Sequence, residues 1–401
     1  MSRHFLFFGI ADHGHVLPYL ALVEELVARG HRVTYVTSDD LADTVTGAGA
    51  TAVRYESRYD KVDSFEIANH QDASLMPILL LEESISMMRA TAEHLGDEIP
   101  DAIAYDIASF HAGRILGRKW NRPTVELNPF YASNENFSYL HAMMEFDDEA
   151  DAAAVPPDMT PWLDRTGALL AENGIDEHPG QFAMAIHGFN LVHIPQAFQF
   201  SGETFDDRFK FVGPCLGSRH FLGEWKRPED GLPLVLISLG TVFNKNPEFF
   251  KAAVEAFHGR PWHVVITVGD GIDPAELGEL PANVEVHRWV PHLDVLEHAA
   301  VFVTHGGMGS VQEALYWGRP MVVIPQSRDQ RPTARNISDR KLGVTLRPAD
   351  VTAESLYRAV AETAEDTTLR GNAAEMREQV RQAGGTKRAA DEVLAHVDSH
   401  R

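Results

Sequence analysis

The segment Trp289–Gln330, WVPHLDVLEHAAVFVTHGGMGSVQEALYWGRPMVVIPQSRDQ, decides how the chain is read. Its apolar run Ala300–Thr304 enters His305-Gly306-Gly307-Met308-Gly309-Ser310, continues as a helical stretch to Gly318, and reaches a second apolar run. The order is strand, glycine-rich turn, helix, strand. Such a turn is an anion site, because glycines let the backbone approach a phosphate while free N–H groups and the positive end of the helix dipole face its charge. Ser310 adds a hydroxyl donor, His305 an imidazole, and Glu313 an acceptor suited to a vicinal diol such as ribose. Ser310-Val311-Gln312-Glu313 is also the spacing of a helix capping box, which needs no ligand. Co-occurrence with Trp289 before Pro291 and with Asp329-Gln330 after the second run favours a nucleotide.

Composition narrows the rest. A chain of 401 residues, 44% of them hydrophobic, has material for two or three domains with large cores. Lys and Arg number 35 against 58 Asp and Glu, a formal charge of −23, which argues against nucleic acid or an anionic membrane surface as partner. Phosphate must then be held by local geometry. Cys215 is the single cysteine, so no internal disulfide forms, and a buried small hydrophobe in a reducing compartment is the expected role. No secretory leader or membrane-length apolar run is read, so a cytoplasmic protein is expected.

From the amino end, His4–Ile10 is a continuous apolar run, as for a parallel strand buried on both faces. The turn Ala11–Pro18 follows, then a helix with Leu20, Val23, Leu26 and Val27 on one side, a stop at Gly30 and a strand over Arg32–Ser38. That turn belongs at the carboxyl end of a parallel sheet, where open α/β folds bind ligands. It lacks the G-x-G-x-x-G of a dinucleotide fold. His13 and His15 lack supporting acidic or cysteine ligands, and Asp39-Asp40 and Asp147-Asp148-Glu149 read as capping or solvated residues, so no metal is expected. Asp101–Phe110 gives another strand, with Asp106 at its end and Asp101 at its start; Asp106 also suits a helix N-cap. Strands at Leu191–Pro195 and Phe209–Val212 precede a polar linker, and Leu234–Ser238, Trp262–Val268 and Val284–Val286 build a second half. The pattern predicts two doubly wound α/β domains facing across a cleft.

The Trp289–Gln330 stretch resembles the nucleotide-sugar box of the UDP-glycosyltransferase superfamily, which implies the GT-B architecture of glycosyltransferase family 1. By that resemblance Trp289 stacks on the nucleobase and Val290 meets its edge, while His305, Gly307, Gly309 and Ser310 hold the diphosphate. Glu313 would take the ribose, Asp329 and Gln330 the sugar hydroxyls, and the Ser238-Leu239-Gly240-Thr241 turn would lie under the diphosphate. His292 departs from the pattern, standing where many members carry glutamine. Gly14-His15-Val16-Leu17-Pro18 matches the family's G-H-x-x-P, which implies His15 as general base, oriented by Asp106. Histidine suits that task because its ordinary pKa lies near working pH.

Asn173–Pro179, Pro274–Trp289 and Gly384–Asp391 further resemble bacterial macrolide glycosyltransferases. The expected division is residues 1–215 for the acceptor, 216–230 as linker, 231–380 for the nucleotide sugar, and 381–401 as a helix returning to the first domain. Met76, Leu80, Phe130, Phe137 and Met144 are the expected acceptor contacts, from segments rich in methionine and aromatics. The implied reaction is inverting transfer of a sugar, glucose from UDP-glucose, to a hydroxyl of a macrolide-like or other hydrophobic natural product. No metal or other cofactor would take part, and the protein would be a monomer or homodimer. A dTDP-deoxysugar donor, a nitrogen, sulfur or carbon nucleophile, a nucleotide-sugar epimerase and a non-catalytic auxiliary protein remain as alternatives.

Overall fold

The computed structural model describes residues 2–61, 75–145, 158–217, 225–240 and 244–400. The apolar runs become strands: β1 His4–Phe8, β2 Arg32–Thr37, β3 Thr51–Arg54, β4 Ala102–Asp106, β5 Thr124–Asn128, β6 Asn190–Val192 and β7 Phe209–Phe211. They form one sheet in the order β3-β2-β1-β4-β5-β6-β7, and every pairing is parallel. The later runs are β8 Leu234–Ser238, β9 His263–Thr267, β10 Val284–His287, β11 Ala299–Thr304, β12 Met321–Val323 and β13 Gly343–Thr345. Their sheet, also parallel, runs β10-β9-β8-β11-β12-β13.

Both orders start in the middle, proceed to one edge, return, and proceed to the other. Strand order therefore reverses between β1 and β4 in one sheet and between β8 and β11 in the other. Loops leaving the carboxyl ends of those neighbours diverge to opposite faces and open a crevice. His15 follows β1 and Asp106 ends β4; Gly240 follows β8 and His305 follows β11. Each unit thus carries its candidate chemistry at its own reversal point.

The chain divides into two compact units, residues 1–138 with 151–217 and 383–401, and residues 139–150 with 218–382. In the first, helix Leu17–Ala28 buries Tyr19, Leu20, Leu22, Val23 and Leu26 against β1, β2, β4 and β5. The tail helix Gly385–Asp398 lies on the same core through Ala389, Ala390, Val393 and Val397. Gly385 N–H donates to the Val212 carbonyl at 2.7 Å, and Arg29 reaches Asp391 at 2.5 Å. Cys215 sits in this core with its thiol pushed up to about 12 by burial. Helix Tyr139–Glu145 departs from the expected division. It groups with the second unit because it packs on helix Gln330–Asp339, where the Tyr139 hydroxyl donates to the Asp329 carbonyl at 3.1 Å. Among the described residues no helix is long and apolar enough to cross a membrane.

The tail helix contributes to the first core rather than merely touching it, since Val393 is fully buried there. Val393→Ala should lower unfolding free energy by about 2 kcal/mol, from lost burial plus the cavity left behind. Urea titration checks this; an unchanged midpoint would place the helix outside the cooperative core.

Candidate active site

In the first unit the turn after β1 is shaped by Asp12, whose Oδ1 accepts the Gly14 N–H at 2.6 Å and caps a short 3-10 turn over His13–His15. That turn directs the two histidines differently: His13 is exposed, while the His15 ring faces inward. His15 Nδ1 lies 2.9 Å from Asp106 Oδ1, and its ring meets Phe130 edge-on at 5.8 Å. Asp106 is fully buried and caps the turn Ile107–Ser109 by accepting the Ala108 N–H at 2.7 Å. The capping and partner readings of this residue are therefore both realised. With Nδ1–H donated to the carboxylate, the basic lone pair of a neutral His15 ring sits on Nε2. Asp101, at the opposite end of β4, accepts the His4 N–H instead.

Tyr19 escaped the sequence reading. Its buried hydroxyl donates to Asp106 Oδ2 at 2.5 Å. The available signal was its spacing, four residues after His15 across the helix start. Of the expected acceptor contacts, Phe130 stands beside His15. Met76 and Leu80 are half-buried on helix Leu75–Leu95, Leu80 packing on the core beneath. Phe137 stacks on Phe200 at 5.5 Å. Met144 is exposed on helix Tyr139–Glu145 and groups with the second unit.

In the second unit, helix Met308–Trp317 follows β11 with Gly307 as N-cap and no side-chain cap. Ser310 is thus the helix's third residue, and the capping box is not formed. The opening N–H groups of Met308, Gly309 and Ser310 precede the first helical bond, from Val311 to Gly307. A Cβ on Gly309 would meet nothing within 4 Å, so there is open room beside this end. His305 lies between two glycines. A Cβ on Gly240 would fall 2.5 Å from His305 Cε1, and one on Gly307 would overlap Nε2. Gly240 also has φ 78°, which suits glycine. Buried Ser238 Oγ accepts the Gly240 N–H at 3.3 Å, and Asn244 Nδ2 donates to the Gly240 carbonyl at 3.2 Å. Sequence gave no sign of Asn244; Thr241 lies outside the described residues.

Glu313 is buried one turn further on. His292 faces it, Nδ1 to Oε2 at 3.6 Å, while His292 Nε2 is 3.1 Å from Thr267 Oγ1 at the end of β9. The histidine that departs from the family's glutamine thus lies beside the acidic residue expected at the ribose. Trp289 is 44% exposed, and Val290 beneath it is buried. Asp329 accepts from Ser327 Oγ at 2.5 Å through Oδ1, and Gln330 Oε1 accepts the Gln326 N–H at 2.7 Å, leaving the Gln330 amide nitrogen as its donor. Among the described residues no group of three or more His, Cys, Asp or Glu could hold a metal.

Residues 260–393 match the family described as erythromycin biosynthesis protein CIII-like, C-terminal domain. The chain is 40% identical over 397 residues to demethyllactenocin mycarosyltransferase of Streptomyces fradiae, covering 97% of this chain and 85% of that protein. It is 38% identical over 401 residues to oleandomycin glycosyltransferase of Streptomyces antibioticus, covering 98% and 91%. The crystal structure of CalG4, the calicheamicin glycosyltransferase, superposes with TM-score 0.88 at 38% identity, covering 100% of this chain and 99% of that one.

Burial, with His292 nearby, lowers the His305 pKa from 6.5 to about 4. Below pH 6.5 the unfolded chain takes up a proton that folded His305 refuses, so the folded state loses stability as pH falls from 6.5 towards 4. His305→Gln should remove a loss on the order of 3 kcal/mol from that window. Urea unfolding at pH 7 and pH 4.5 measures it; equal pH dependence in both proteins would contradict the buried neutral ring.

Proposed function

This chain belongs to the bacterial macrolide glycosyltransferases of the UDP-glycosyltransferase superfamily, and we propose that it transfers glucose from UDP-glucose to a hydroxyl of a macrolide-like natural product. The observation that carries the mechanism is the His15–Asp106 contact at 2.9 Å at the reversal point of the first sheet. His15 Nε2 takes the proton of the acceptor hydroxyl as the oxygen attacks the anomeric carbon. Asp106 holds the tautomer and stabilises the imidazolium that forms. One displacement at that carbon inverts it, giving a β-linked product from an α-linked donor.

The leaving diphosphate is held by the N–H groups opening helix Met308–Trp317, by Ser310 and by the His305 turn, so its charge is met without a divalent ion. Glu313, beside His292, takes the ribose, Trp289 stacks on the base, and Asp329 with Gln330 binds the sugar hydroxyls. The half-buried apolar side chains Met76, Leu80 and Phe130 suit a large apolar acceptor. A second reading keeps the mechanism and changes the donor to a dTDP-deoxysugar; the mycarosyl transfer named for the Streptomyces fradiae relative favours it.

Mass spectrometry of metal-free reactions pairing UDP-glucose or dTDP-sugars with a macrolide panel tests the proposal. A sugar adduct should form with one donor, and His15→Ala should lower the rate by about 10²–10⁴-fold. Near-normal turnover in His15→Ala sinks the base assignment, and strict dependence on added Mg²⁺ sinks the metal-free leaving group.

A further inference from the structure

The geometry points to Tyr19 as a positioning residue for the His15–Asp106 pair, its hydroxyl fixing one carboxylate oxygen so that the other stays aimed at the imidazole. This rests on the reading of His15 as base. The two oxygens of Asp106 are served differently. Oδ1 receives the Ala108 N–H at 2.7 Å and faces His15 Nδ1 at 2.9 Å. For Oδ2, Tyr19 at 2.5 Å is the only donor among the described residues. The same hydroxyl lies 3.3 Å from the Leu127 carbonyl, so the carboxylate is the nearer acceptor. Without this donor a fully buried anionic oxygen would stand unpaired, which is costly, and a turn of the carboxylate to relieve it would carry Oδ1 away from His15.

Placement makes the contact rigid. Tyr19 is the third residue of helix Leu17–Ala28, four positions beyond His15, so the 3-10 turn His13–His15 and the helix that follows it each reach one carboxylate oxygen. Its ring is fully buried and meets His193 edge-on at 4.9 Å. Burial, reinforced by Asp106, holds the phenol pKa well above its ordinary value, so Tyr19 remains a donor and does not compete as a base. The other groups facing the pair are Tyr35 from β2, Glu126 from β5 and His193 after β6. Tyr35 is likewise kept protonated, and His193 is lowered to about 4, both by burial. Glu126 accepts from Arg114 at 2.8 Å and from Tyr105 at 3.1 Å.

A donor to Oδ2 stabilises the proton-free, anionic pair more than the pair that has taken up a proton. Removing it should ease proton uptake whichever residue receives the proton, so the acid limb of the rate profile should move to higher pH. In the full chain, Tyr19→Phe should lower kcat by about 10- to 100-fold, leave KM for both substrates within about twofold, and raise the acid limb by about one pH unit. An unchanged kcat and acid limb overturn the inference. In an Asp106→Asn background Tyr19→Phe should cost no more than about twofold further, because the group it serves is gone. A full, additive loss there would mean that Tyr19 acts by packing, and also overturns it.

If Tyr19→Phe fails to fold by circular dichroism, 3-fluorotyrosine at position 19 gives the complementary readout. Its more acidic phenol donates more strongly and should lower the acid limb; an unmoved limb counts against the role. His15→Ala separates the two readings. Near-normal turnover in that variant defeats the base assignment and this inference with it. Lost turnover beside a silent Tyr19→Phe leaves the base standing and defeats Tyr19 alone.

Discussion

A carboxylate with no exposed surface, Asp106, sets the terms for the first unit. A buried charge persists only where donors replace the water it has lost. Here they come from its own turn through Ala108, from the loop after β1 through His15, and from the following helix through Tyr19. These elements meet only because β1 and β4 are hydrogen-bonded neighbours in parallel register, Phe8 beside Tyr105. The strand order is therefore a condition for the chemistry.

The second unit solves a related problem with partial charges. Helix Met308–Trp317 opens with backbone N–H groups and the positive end of its dipole, in a protein of net charge −23, and an anion drawn there would be met by those partial charges. That demands close approach. Gly240 and Gly307 leave room for the His305 ring, and Gly309 leaves room beside the helix end. Glu313 is an acceptor held one turn deeper, facing His292, which is itself tied to Thr267. In a chain 38–40% identical to glycosyltransferases along nearly its whole length, the glycine-rich helix start and the His15–Asp106 pair thus stand at equivalent points of two similar sheets.

Much of this was legible in the residues. Runs such as His4–Phe8 and Leu234–Ser238 are apolar without alternation, which only strands covered on both faces require, and glycines at turns mark where chain direction changes. The His15–Asp106 pairing was reached through family resemblance, since 91 residues separate the two and no local pattern links them. Local rules misled at Ser310, where capping-box spacing suggested a helix start that the glycine turn places three residues earlier. They misled again at Met144, grouped by its apolar neighbours with the first domain although its helix packs on Gln330–Asp339.

By itself the sequence determined what short-range physics controls: strands from apolar runs, a helix start after His305-Gly306-Gly307, one cysteine with no internal partner, and a net charge that argues against a nucleic-acid partner. Tertiary structure decided which distant side chains share a carboxylate or a ring. It made Tyr19 a donor to Asp106, set Asn244 against Gly240, and brought His292 beside Glu313. Such pairings depend on strand order and on how deeply each group is buried. Both arise from the packing of the whole sheet, and no window of neighbouring residues contains them.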